Sequence, residues 1–146
     1  MNRWRVVLDT NVLISGFRFG GKPARILNLA LSAAFISLTS EPLNNELAGV
    51  LAGKFLMTKQ LITEVCTPYW QVAEWIDPKL ETHLCPDEAD NRVLECAMEG
   101  MADFLISGDK HLLNLRAVTS FTILKPDTFL TLFQSHSSRI GVSEPS

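Results

Sequence analysis

No stretch of this chain approaches the roughly 18 consecutive apolar residues that a membrane-spanning helix needs. The opening Met1-Asn2-Arg3-Trp4-Arg5 runs into a short apolar segment without the core of a secretory signal, so a cytoplasmic protein with no membrane partner is expected. Cysteine is scarce: Cys66, Cys85 and Cys96 are odd in number, widely spaced and free of any C-x-x-C pair. That excludes a disulfide framework and a zinc knuckle and leaves small, buried, reduced side chains as the expectation. Basic excess is missing too, with 13 Lys and Arg against 16 Asp and Glu and a formal charge of −3. A nucleic-acid partner would therefore have to meet a local patch and not a global field. His83, His111 and His136 show no ligand spacing, which excludes a histidine-based zinc site and leaves His111 at most on a pocket rim. Internal repeats are absent as well.

What the chain does have is 146 residues, 47% of them hydrophobic, enough for one domain around one core. Short apolar runs at Arg5 to Leu8, Phe35 to Leu38, Phe104 to Ser107 and Phe121 to Leu124 predict buried strands, and a weaker strand is predicted near Glu81 to Leu84. Helical periodicity fills Ala24 to Ala33, Pro42 to Ala52, Lys59 to Ile76 with a break or kink at Pro68, Glu88 to Glu99, and Asp127 to Phe133. Gly100 is expected as the C′ residue that closes a helix. Strands alternating with helices predict an α/β fold, a three-layer α/β/α sandwich on a central, mainly parallel sheet of about five strands. The domain is expected over residues 1–134, with a disordered tail over 135–146.

Asp9 and Asp109 each follow a predicted strand, where open parallel sheets place their ligands. Each is equally well read as a helix N-cap when taken alone. Glu46 is sharper, because it lies among Leu43, Leu47, Val50 and Leu51, the apolar stripe of its helix, and a carboxylate there must be paired, protonated or metal-bound. Asp90 stands one turn before Leu94 and is predicted to point inward, while Arg92, Glu95 and Glu99 are assigned to the outer face of the same helix. Asp87, a natural cap for that helix, is the fallback, and Glu41 is explained by the helix dipole after a Ser40 cap. Clustered carboxylates repel by roughly 4 kcal/mol per pair at about 4 Å and an effective dielectric near 20. Convergence of Asp9, Glu46, Asp90 and Asp109 would therefore call for a cation, and hard oxygen ligands favour Mg²⁺ or Mn²⁺.

Asp9-Thr10-Asn11-Val12-Leu13-Ile14-Ser15, Ser40-Glu41-Pro42-Leu43-Asn44-Asn45-Glu46-Leu47, Asp90-Asn91-Arg92-Val93-Leu94-Glu95-Cys96-Ala97 and Ala102-Asp103-Phe104-Leu105-Ile106-Ser107-Gly108-Asp109 together resemble the PIN-domain family. More narrowly they resemble its single-domain prokaryotic members, toxins of toxin–antitoxin pairs, over about Val6 to Phe133. The resemblance maps the family's acidic ligands onto Asp9, Glu46, Asp90 and Asp109, and its supporting polar positions onto Thr10, Asn11 and Ser107. Relatives often read Asp-Pro-Asp-Asp where this chain has Cys85-Pro86-Asp87-Glu88-Ala89-Asp90.

The resemblance implies a Mg²⁺- or Mn²⁺-dependent endoribonuclease acting on single-stranded RNA, an antitoxin protein partner and a homodimer. Arg18, Lys22, Arg25 and Lys110 are candidates for RNA contact, and Phe17 and Phe19 for base stacking or core packing. The competing readings are a catalytically idle module of the same fold that binds RNA or protein, and a phosphoacceptor signalling domain. A haloacid-dehalogenase-type phosphatase would want a second Asp where Asn11 stands, and a flap-type nuclease would need an extra helical arch.

Overall fold

The computed structural model describes residues 3–115 and 119–140, and the run after Trp4 lies at its centre. Arg5–Leu8 forms β1, whose side chains alternate between two cores: Val6 and Leu8 enter one apolar cluster and Val7 the other. Around it stand β2 (Ile36–Ser40), β3 (Glu74–Ile76), β4 (Phe104–Ile106) and β5 (Thr122–Leu124), in the order β3-β2-β1-β4-β5 and all parallel. The chain winds outward from β1 first to β2 and β3, then returns to β4 and β5. The order therefore reverses at β1, and its carboxyl end is the topological switch point.

The helices are α1 (Thr10–Arg18), α2 (Gly21–Leu31), α3 (Glu41–Gly53), α4 (Lys59–Val72), α5 (Glu88–Glu99), α6 (Lys110–Leu113) and α7 (Pro126–Ile140). Residues of α1, α2, α4 and α7 pack with Val6 and Leu8 on one face, and α5 and α6 with Val7 on the other. Helix α3 bridges the layers, with Leu43 in one cluster and Leu47 and Leu51 in the other. The three-layer α/β/α architecture expected from the sequence is present. Among the described residues no helix is long and apolar enough to cross a membrane.

Several local expectations are corrected. Pro68 sits inside α4 without ending it; its missing donor leaves the Glu64 carbonyl on the exposed side, while Cys66 and Tyr69 anchor the helix on both sides of the proline. The helix stops instead at Val72, and Glu74–Ile76 forms an edge strand on β2, held by an ion pair of 2.6 Å between Arg5 and Glu74. The strand predicted at 81–84 is absent. That segment lies in a loop fixed by side chains of α5: Asn91 bonds both the N–H and the C=O of Cys85, and Glu95 accepts from the N–H of Thr82.

Gly100 caps α5 with φ −78°, and Met101 takes the left-handed conformation at φ 53°. Glycine is required at 100 by closeness: a Cβ there would lie 2.8 Å from the Cys96 carbonyl and 2.9 Å from Leu38 Cδ1. The tail expected from 135 is helical as far as Ile140, with Ser137 buried; residues 141–146 lie outside the described residues.

Candidate functional site

The carboxyl ends of β1 and β4 meet through one serine. The Ser107 hydroxyl, fully buried, donates to Asp9 Oδ2 at 2.7 Å and accepts from the Asp109 backbone N–H at 3.0 Å. Asp9 occupies the cap position of α1 yet makes no side-chain capping bond, so the bland reading of this residue does not hold. The residue is only 4% exposed. Burial raises the Asp9 pKa above its ordinary value, opposed by the bonds from Ser107 and the Thr10 backbone and reinforced by Asp109 and Asp87.

Asp90, on the first turn of α5, points inward as expected and is 6% exposed. Its Oδ2 is buried with no hydrogen-bond partner. Burial first, then Asp109, Asp9 and Asp87, pushes its pKa up to about 6, with His111 pulling the other way. Glu46 is half-buried on α3, and burial together with Asp9 and Asp87 raises its pKa as well. Asp9, Glu46, Asp90 and Asp109 thus share one electrostatic neighbourhood at the switch point.

The tight cage expected from the sequence is not formed: among the described residues, no three His, Cys, Asp or Glu side chains stand close enough together to hold one ion. The physical reason lies in repulsion and in competing partners. Asp109 Oδ1 caps α6 by accepting from His111 N–H at 2.7 Å, and Asp87 Oδ1 caps α5 by accepting from Ala89 N–H at 2.9 Å. The donor set itself fits a hard divalent cation, being all carboxylate oxygen, and the orphaned Asp90 Oδ2 supplies a buried acceptor with nothing to accept.

The profile of the PIN domain matches residues 5–111 of the chain. The chain belongs to the PIN domain family. It is also similar to the uncharacterized protein MJ1680 of Methanocaldococcus jannaschii, with 32% identity over 117 residues that cover 77% of this chain and 75% of that protein. PIN domains are generally nucleases, hydrolases of nucleic acid, and usually use divalent metal ions. The matched span contains all four acids of this PIN domain, from Asp9 to Asp109.

The supporting residues divide. Thr10 is buried beneath the start of α1 and Ser107 joins the two strand ends, whereas Asn11 is exposed. Arg18, Lys22, Arg25 and Lys110 are all exposed, but only Lys110 adjoins an acid in the chain; the others lie at the far end of α1 and on α2. Phe17 packs against the core, while Phe19 is 69% exposed. The phenylalanines therefore have different roles. Glu41 is exposed in the first turn of α3 and Ser40 caps that helix, as expected.

Sequence reasoning missed Asn91 and Glu95, which shape the site by fixing the loop before Asp87. Glu95, assigned to the outer face, is 7% exposed because that loop folds over it and Arg92 pairs with it at 2.9 Å. The only signal for it was a carboxylate on a helix rich in buried neighbours. The cysteines match their expectation: all are buried and free, with thiol pKa values raised by burial to about 11 at Cys66 and about 12 at Cys96.

Proposed function

We propose that this PIN domain is a Mg²⁺- or Mn²⁺-dependent endoribonuclease that hydrolyses single-stranded RNA and serves as the toxin of a toxin–antitoxin pair. The observation that carries the reading is the buried, unpartnered Asp90 Oδ2 beside the Ser107-bound carboxylate of Asp9, at the edge where two strands diverge. Asp9, Glu46, Asp90 and Asp109 would hold the metal. When bound, such an ion lowers the pKa of a water and offsets charge on the scissile phosphodiester. Ser107 orients Asp9 by donating to one oxygen, and its bond from Asp109 N–H fixes the second strand end at the same place. Asp90 and Glu46, with raised pKa values, must lose their protons to act as ligands. Lys110 places a cation beside Asp109 for the RNA backbone. Cleavage is expected to leave a 5′-phosphate and a 3′-hydroxyl, and the toxin role implies an antitoxin protein and a homodimer.

One observation favours a second reading. Because no three acids among the described residues converge, a catalytically idle module that binds RNA or protein is the alternative. The deciding experiment is single-turnover cleavage of an unstructured RNA with Mn²⁺, Mg²⁺ or EDTA. Metal-dependent cleavage supports the nuclease; binding that is indifferent to metal, without cleavage, supports the idle module. A phosphoacceptor domain is disfavoured by the burial of Asp9, and a stable acyl-phosphate on Asp9 after incubation with a phosphodonor would reverse that judgement.

A further inference from the structure

A second surface, away from the acids, gathers two cations and an exposed aromatic ring around a phenylalanine that packs against the core. Helices α1 and α3 end side by side, and the ring of Phe55 lies between them. The Arg18 guanidinium carbon sits 4.9 Å from its centroid and Lys54 Nζ 5.8 Å, while Phe19 meets it edge-on at 6.1 Å. Arg18, Phe19 and Lys54 are exposed, Phe19 by 69%. The next residue, Leu56, is 84% exposed and held at φ 54°, a conformation that bulky side chains rarely adopt.

Arg18 taken alone complements the dipole of α1. Lys54, the C-cap residue of α3, does the same for that helix, but the dipoles do not account for the exposed Phe19 or for both cations lying over one ring. Two cations gathered on one ring repel each other, and a large apolar ring open to water contributes nothing to the core. Both costs are relieved by a ligand that brings negative charge and a planar apolar face together, and single-stranded nucleic acid has that composition. A short acidic peptide would meet the charges, but it carries no repeated planar face for Phe19. The patch lies about 13.5 Å from Asp9, the length of the nine residues of α1 at 1.5 Å each. A strand running along α1 could touch both places.

We infer that Arg18, Phe19, Lys54 and Phe55 form a base-stacking and phosphate-binding subsite for single-stranded RNA, continuous with the acidic edge along α1. This rests on the nuclease reading for its substrate, yet it is testable without catalysis. The probe is a labelled unstructured decaribonucleotide, titrated in EDTA by fluorescence anisotropy over a range of salt. Phe19→Ala is expected to weaken binding roughly five- to a hundredfold, the span seen when a stacking aromatic is truncated. Arg18→Glu/Lys54→Glu is expected to abolish measurable binding, and Arg18→Gln/Lys54→Gln to lower the magnitude of the log K against log salt slope by about 1.4, or ~0.7 per phosphate contact. Arg3→Glu/Lys79→Glu makes the same charge change at sites outside the patch and is expected to bind like the parent.

Equal losses in that control would show a net-charge effect and overturn the inference. So would unchanged affinity in Phe19→Ala and the charge-reversed variant, or a parent protein that does not bind the oligonucleotide. An acidic peptide that competes for the patch more tightly than RNA would assign it to a protein partner instead and also overturn the inference. Patch-dependent binding without cleavage in Mn²⁺ would sink the nuclease reading alone, and cleavage indifferent to the patch would sink the subsite alone.

Discussion

The Ser107 hydroxyl reaches Asp9 Oδ2 at 2.7 Å across two adjacent strand ends, and this bond joins the carboxyl termini of β1 and β4 into one structural unit. It stabilises a buried carboxylate that burial alone would disfavour. Asp9 makes no side-chain capping bond to α1, so Ser107, together with the adjacent Thr10 backbone, fixes its orientation.

Ser107→Ala should therefore raise the Asp9 pKa further and loosen its orientation. Metal-dependent cleavage is expected to fall about 10- to 100-fold, the usual effect of losing a residue that orients a metal ligand, with a stability loss of about 1 kcal/mol. Activity equal to the parent in a single-turnover assay would remove Ser107 from this role.

Asp9→Asn keeps the shape and removes the charge. Cleavage is expected to drop by at least about a hundredfold, while the melting temperature of the metal-free protein holds or rises by a few degrees as repulsion is relieved. Calorimetry on the EDTA-treated variant checks the second half; a large fall in melting temperature would mean that Asp9 is structural.

The pH dependence follows from Asp90. Its native pKa of about 6 lies above the ordinary carboxylate value, so the native state binds the proton more tightly than the unfolded chain. The stability this contributes is fully present below about pH 4 and is lost as the pH rises through about 6. Metal binding runs the other way, since the ligand must be deprotonated: Mn²⁺ affinity should fall about tenfold per pH unit below about pH 6. Asp90→Asn should flatten the stability trend in metal-free buffer. A profile that keeps its slope in that variant would assign the titration elsewhere.

Millimolar Mn²⁺ should raise the melting temperature, because an ion bound only by the native state adds about 2.7 kcal/mol at a hundred times its Kd. EDTA should reverse the shift, and the Asp9→Asn variant should show little of it. Equal shifts in parent and variant would locate the ion at another site.

Asn91→Ala removes both side-chain bonds to Cys85 and releases the loop that precedes Asp87. About 1–3 kcal/mol of stability should be lost through the unsatisfied backbone groups, with faster proteolysis between residues 77 and 87. Protease resistance equal to the parent would show that the loop is held by other contacts.

Much of this protein was determined by its one-dimensional pattern. Apolar runs of strand length between amphipathic segments specify a parallel sheet covered on both faces, and placing Asp9 and Asp109 just past such runs puts them at the ligand edge whatever the details. The inward aim of Asp90 also follows from helical spacing to Leu94. Tertiary structure decided what depends on partners distant in the chain. Glu74–Ile76 became a strand because β2 and Arg5 were there to receive it, and residues 81–84 did not because their partners are the side chains of Asn91 and Glu95. Glu95 was buried by a loop, and Asp9 found Ser107 on a neighbouring strand end in place of a capping bond. Periodicity reports which face of an element is apolar, but it carries no information about which distant group will satisfy a given hydrogen bond, and that choice sets the chemistry at the sheet edge.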